Sequence, residues 1–93
     1  MSVTIQLRKN IVIPGLDTDP ATLPEGVNTV RDLLQYVGSR IHFDLIDPNS
    51  GDLHEDFEIG INGKEVWFSP GGLDAPLSDN DLVDINIVGL GGG

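Results

Sequence analysis

LVDINIVGLGGG, residues 82–93, carries two signals in succession. Val83, Ile85 and Ile87 alternate with Asp84 and Asn86, the period of a strand with one buried face. That strand runs into Gly89, Leu90 and three consecutive glycines, Gly91, Gly92 and Gly93. Glycine has the most backbone freedom to lose on ordering and no side chain to pack. The strand therefore belongs to a core, and the residues after it do not.

Working back from that closing strand, the rest of the chain supplies partners for it. In SVTIQLRKNIVI (2–13), Val3, Ile5 and Leu7 alternate with Thr4, Gln6 and Arg8, which predicts a first strand. Lys9-Asn10 reads as a tight turn, since Asn tolerates a left-handed backbone. Ile11 to Ile13 then read as a returning second strand, ended by Pro14-Gly15. LDTDPATLPEG (16–26) is a loop, longer than most connectors. TVRDLLQYVGSRI (29–41) is the one clear helix, with Val30, Leu33, Leu34, Val37 and Ile41 on one face. Thr29 is placed to cap it, Asp32 gives an imperfect capping box, and Gly38 ends the helix or sits in its last turn. IHFDLI (41–46) alternates as a strand, DPNSGD (47–52) is turn chemistry, and FEIGI (57–61) alternates again. Asn62-Gly63 is a hairpin signal with EVWF (65–68) as its returning strand, and SPGGLDAPLSDND (69–81) is a loop. One helix laid across one face of a small mixed sheet is an α+β arrangement.

With 93 residues, 39% apolar and 22% charged, the chain suits one domain with one core. It has no cysteine, which excludes disulfides, thiolate metal sites and a cysteine nucleophile. Five basic residues face fifteen acidic ones, a formal net charge of −10. Phosphate backbones repel such a chain, so nucleic acid is not an expected partner. A basic protein surface fits it better, with Asp79 and Asp81 among the acidic groups expected to act in encounter; solubility alone also accounts for any single Asp. No apolar run reaches the length of a membrane span and no signal-peptide pattern opens the chain, so the expected location is the cytoplasm, away from membranes.

No catalytic constellation is visible. The only imidazoles, His42 and His54, lack a Ser or Cys partner in a recognisable arrangement, and surface or edge roles fit them. Asp47, Asn49 and Glu58 fall at the first, third and twelfth places of a calcium-loop register. Gly51 and Asp52 occupy its fifth and sixth places, where an oxygen donor and a glycine are needed, so an Asx-rich turn and no metal are expected. Trp67 and Phe68 are neighbours in an expected strand, which points them to opposite faces. The outward one either anchors a partner or packs under the following loop.

The glycine tail admits a bland reading, a frayed end, and a functional one. An enzyme acting on a terminal carboxylate draws the last residues into a narrow channel, and residues without Cβ fit it. TVRDLLQYV in the helix, INGKEV in the hairpin, PLSDNDLVDI before the last strand and a closing Gly92-Gly93 together resemble the ubiquitin-like β-grasp sulfur carriers. The likeness is greatest to the small subunit of molybdopterin synthase, with the thiamine-pathway carrier a shorter relative. The resemblance implies a β-grasp domain over 1–88, its first and last strands side by side at the centre, and a flexible tail over 89–93. It also implies that a ubiquitin-activating-like adenylating enzyme uses ATP to activate the carboxylate of Gly93, and that sulfur then displaces AMP to leave a thiocarboxylate. Gly91 and Gly92 give access. The large subunit of molybdopterin synthase, or another sulfur acceptor, receives the sulfur. On this resemblance the chain binds no cofactor and is a carrier, not an enzyme on its own. Two alternatives stay open: a protein modifier joined to lysine amines through the same glycine, and a β-grasp interaction module with an idle tail.

Overall fold

The helical stretch forms as its spacing predicts. α1 spans Val30–Ile41, and Val30, Leu33, Leu34 and Val37 are buried along one stripe. Its start is a complete capping box, in which the Asp32 N–H donates to Thr29 Oγ1 at 3.1 Å. The Asp32 carboxylate in turn accepts from the N–H groups of Asn28 at 3.1 Å and Thr29 at 3.2 Å. These donors, Asn28 foremost, hold the Asp32 carboxyl below the usual aspartate range. Aspartate thus completes a box that more often uses Glu.

The end of α1 is set by Gly38 and His42. Gly38 lies in the last turn, and His42 caps the helix in the left-handed region at φ 58°. The Phe43 N–H returns to the Gly38 carbonyl at 3.0 Å. A Cβ on Gly38 would stand 2.6 Å from the Phe43 carbonyl oxygen, so only glycine lets residues 42–45 fold back across the helix. That return buries Leu45 and Ile46 one after the other, which is why IHFDLI is not the strand its alternation predicts. One bridge, Ile46 to Leu53, is all the pairing it makes. Between them Asp47 Oδ1 accepts from the N–H groups of Asn49 and Ser50, an Asx turn as expected.

The computed structural model describes residues 3–18, 20–68 and 70–88; the tail expected over 89–93, with Gly91, Gly92 and Gly93, lies outside them. Five strands form one mixed sheet: β1 Thr4–Lys9, β2 Ala21–Thr22, β3 Phe57–Ile61, β4 Lys64–Glu65 and β5 Leu82–Ile87, in the order β2-β1-β5-β3-β4. β1 and β5 run parallel at the centre, from Gln6 beside Leu82 to Lys9 beside Ile85. β3 runs antiparallel to β5, from Phe57 beside Ile87 to Ile61 beside Val83. Ile5, Leu7, Val83, Ile85, Phe57, Ile59 and Ile61 share one core with the α1 stripe. The same alternation leaves Gln6, Arg8, Glu58, Asp84, Asn86 and Gly60 on the other face. This is the ubiquitin-like β-grasp fold.

Two further expectations are corrected. Ile11–Ile13 do not return as a strand. Pro14 has no N–H for a ladder, and a turn closes there instead, with the Leu16 N–H donating to the Ile13 carbonyl at 2.9 Å. Asp17 accepts from the Ile13 N–H and from Lys9 Nζ, so Ile13 and Leu16 are carried inward. The strand that pairs with the outer edge of β1 is β2, two residues inside the expected loop, with Thr4 opposite Thr22 and Ile5 opposite Ala21. EVWF likewise keeps only Glu65 in a strand, paired beside Lys64 in β4. Val66–Phe68 coil into a 3₁₀ turn, so Val66 is buried while Trp67 and Phe68 are both outside, 54% and 75% exposed. A helical turn abolishes the strand alternation on which the opposite-face expectation rested.

Gly38→Ala weighs two opposed effects. Helix propensity favours alanine by about 1 kcal/mol, whereas forcing a methyl against the Phe43 carbonyl costs about 1–3 kcal/mol. The contact distance makes the clash dominate, and urea unfolding is expected to show a net loss of about 1–2 kcal/mol. A stabilised variant would contradict this account of the helix end.

Candidate functional site

The place that matters for a tail is where β5 hands over to residue 89. Ile87, the last residue of β5, is gripped on both sides. The Asn10 side chain acts as a peptide: its Oδ1 accepts from the Ile87 N–H at 2.8 Å and its Nδ2 donates to the Ile87 carbonyl at 3.0 Å. The Asn10 backbone N–H also donates to the Ile85 carbonyl at 3.3 Å. Asn10 therefore extends β1 along β5 rather than turning the chain away from it. On the far side Phe57 lies opposite Ile87, and the Val88 N–H donates to the Asp56 carbonyl at 2.7 Å.

Behind that contact stands a small aromatic group. His54 Nδ1 accepts from the Asp56 N–H at 3.1 Å, and the peptide that holds Val88 is fixed by its own N–H, from Phe57, donating to the His54 carbonyl at 3.1 Å. The His54 ring meets Phe43 and Phe57 edge-on, with centroids 5.0 and 6.2 Å away, and Phe43 and Phe57 are 5.5 Å apart. On the other flank Lys9 Nζ pairs with Asp17 at 2.8 Å, and this hydrogen bond lowers the Asp17 carboxyl from its usual range. The base of the tail is thus a fixed point at the middle of the sheet.

The residues singled out from the sequence do not gather there. Asp79 and Asp81 lie at the opposite end of β5 and build the turn into it. Asp79 Oδ1 accepts from the Thr4 N–H at 2.9 Å; Asp81 accepts from the Ser78 N–H and from Asn62 Nδ2. Trp67 and Phe68 follow the edge strand β4. His42 caps α1. Among the described residues, no group of three or more His, Cys, Asp or Glu could hold a metal, and no helix is long and apolar enough to cross a membrane. The residues missed are Asn10, Asp56 and Val88. Asn10 had a signal, an amide at the end of a strand, but its turn propensity masked it; Asp56 acts through its backbone and had none.

No protein-family model matches the sequence, and no curated protein matches it. Solved structures do. The HVO 2177 protein of Haloferax volcanii has a TM-score of 0.64 at 20% identity, over 92% of this chain and 83% of that one. A chain of the Amycolatopsis orientalis BexX/CysO complex scores 0.59 at 26% identity, over 92% and 94%. Mycobacterium tuberculosis CysO scores 0.55 at 25% identity, over 92% and 98%. These likenesses, each over most of both chains, show the ubiquitin-like β-grasp fold of the class that the sequence motifs resemble.

Asn10→Ala removes both side-chain hydrogen bonds to Ile87. Each is worth about 0.5–1.5 kcal/mol net. Amide exchange at Ile87 and Val88 is expected to quicken by about tenfold, the equivalent of roughly 1.4 kcal/mol, with global stability falling by no more than that. Unchanged exchange at both amides would show that Asn10 does not hold the base of the tail.

Proposed function

We propose that the chain is a sulfur carrier whose reacting group is the carboxylate of Gly93. The observation that carries this reading is the likeness of the whole domain to CysO, at 25–26% identity over 92% of the chain. The geometry supports it: β5 is held at the sheet centre up to Val88, so residues 89–93 depart from a defined point.

A carboxylate is a poor electrophile, and adenylation supplies the leaving group it lacks. A Gly93 carboxylate oxygen attacks the α-phosphorus of ATP on a ubiquitin-activating-like enzyme, and pyrophosphate leaves. Hydrosulfide sulfur then attacks the acyl carbon, the bond to AMP breaks, and a thiocarboxylate remains. ATP belongs to the partner enzyme, and the carrier itself binds no cofactor. Gly91 and Gly92 let a channel close around bare backbone. Trp67 and Phe68 are the exposed aromatic pair open to a partner; Asp79 and Asp81 add to the acidic field that steers a basic surface. One solved neighbour belongs to a complex of CysO with BexX, and an acceptor enzyme of comparable standing is proposed for this chain. TVRDLLQYV, INGKEV and PLSDNDLVDI favour an acceptor of the molybdopterin-synthase type.

The full chain, incubated with the adenylating enzyme of its own organism, ATP and sulfide, is expected to gain the mass difference of one oxygen exchanged for sulfur. An unchanged intact mass, with the enzyme shown active on another carrier, would overturn the proposal. Covalent ladders on cellular proteins that vanish with Gly92 and Gly93 would assign the chain to the modifiers instead.

A further inference from the structure

Asn62-Gly63 is the only Asn-Gly pair in the chain; the other five asparagines are followed by Ile11, Thr29, Ser50, Asp81 and Ile87. The pair carries a chemistry of its own. A backbone nitrogen that follows asparagine can attack the side-chain amide carbon, and glycine hinders that attack least because it has no side chain. In this fold hydrogen bonds stand in the way. Asn62 Oδ1 accepts from the Leu82 N–H at 2.9 Å, and Asn62 Nδ2 donates to Asp81 Oδ1 at 3.1 Å. The Asn62 N–H donates to the Leu82 carbonyl at 2.7 Å. Both polar atoms of the carboxamide thus face the start of β5, and turning its carbon onto the Gly63 nitrogen breaks both bonds. Asn62 and Gly63 are exposed, so water reaches them.

We infer that Asn62 is a gated site of self-modification, unreactive while this clasp is closed and deamidated from the opened hairpin. The inference does not depend on the carrier reading. In the opened turn the Gly63 nitrogen bonds to Asn62 Cγ, the bond from Cγ to Nδ2 breaks, and ammonia leaves with the proton that the Gly63 nitrogen has lost. The product is a succinimide. Water then adds to either imide carbonyl and breaks its bond to nitrogen, which leaves aspartate or isoaspartate. Neither product can close the clasp again. Aspartate puts a carboxylate where the Nδ2 donor stood, against the carboxylate of Asp81. Isoaspartate adds a methylene to the main chain, and a tight turn with consecutive positive φ values of 52° and 86° has no place for it. The loss reaches beyond the turn. The Gln6 N–H donates to the Asp81 carbonyl at 2.9 Å, and the Asn80 N–H donates to the Thr4 carbonyl at 2.8 Å. Asn62 therefore sits where β3, β5 and β1 are joined, and its conversion is a one-way loosening of that junction.

The test incubates the full chain in mildly alkaline buffer, folded and in guanidinium chloride, and follows each asparagine by peptide mass mapping for the exchange of NH₂ for OH. Asn62 is expected to convert first in the unfolded chain, and at least about tenfold more slowly in the folded one. Asp81→Ala removes the acceptor of Nδ2 and is expected, while folded, to raise the Asn62 rate by at least about threefold over the wild type. Asn62→Asp, the aspartate product made directly, is expected to unfold at a lower urea concentration. Equal Asn62 rates in the folded and unfolded wild type would overturn the inference. So would a folded Asp81→Ala that converts at the wild-type rate, or an Asn62→Asp chain with the wild-type urea midpoint. The wild-type comparison needs no variant and decides the matter alone should Asp81→Ala fail to fold.

Discussion

The parallel pairing of β1 with β5 is the constraint on which the rest of the molecule depends. Parallel neighbours cannot be joined by a tight turn and need a crossover. Everything from Asn10 to Asp81 is that crossover, and it uses its length to lay α1 over one face of the sheet. Because β1 flanks β5 on one side and β3 on the other, the last strand sits at the centre with both backbone edges paired. The sheet's own edges are β2 and β4, two residues each, too short to template pairing with another chain. The strand nearest the tail is therefore among the best held in the fold.

That placement separates two tasks. The described packing and pairing reach Val88, and the residues after it bring no apolar side chain except Leu90. A folded domain that fixes one point in space, followed by a stretch in which four of five residues are glycine, suits the carrier role proposed for it. The charge distribution follows the same division. Arg8, Lys9 and Arg31 are each committed to a local aspartate, Asp84, Asp17 and Asp74. Such exposed pairs add little stability, but they leave the surplus of acid to set the long-range field.

Legibility in the sequence tracked how local the cause was. α1 was readable with its cap because Thr29, Asp32 and the apolar stripe are all within one segment. β3, the Asn62-Gly63 turn and β5 were readable for the same reason; Asn62 and Gly63 take consecutive positive φ values of 52° and 86°, as a tight hairpin requires. What failed was decided by contacts far along the chain. Ile11–Ile13 read as a returning strand, but Asn10 is held by Ile87 and β1's other edge is filled by Ala21–Thr22. IHFDLI alternates too, but the left-handed cap at His42 and the close pass over Gly38 turn the chain inward. Trp67 and Phe68 were noticed as aromatics, yet their shared exposure depends on a 3₁₀ turn that no strand pattern reveals. The base of the tail was invisible for a further reason: Asp56 grips Val88 with its backbone, and a carbonyl carries no signature in residue type.

The claim that ties fold to function is that the domain presents and residues 89–93 react. ATP–pyrophosphate exchange by the adenylating enzyme tests it, comparing the full chain with one ending at Val88 whose thermal unfolding midpoint matches. The account predicts exchange with the full chain and none with the folded, shortened one. Equal exchange with both would contradict it, because activation would then not need the residues in which all the proposed chemistry resides.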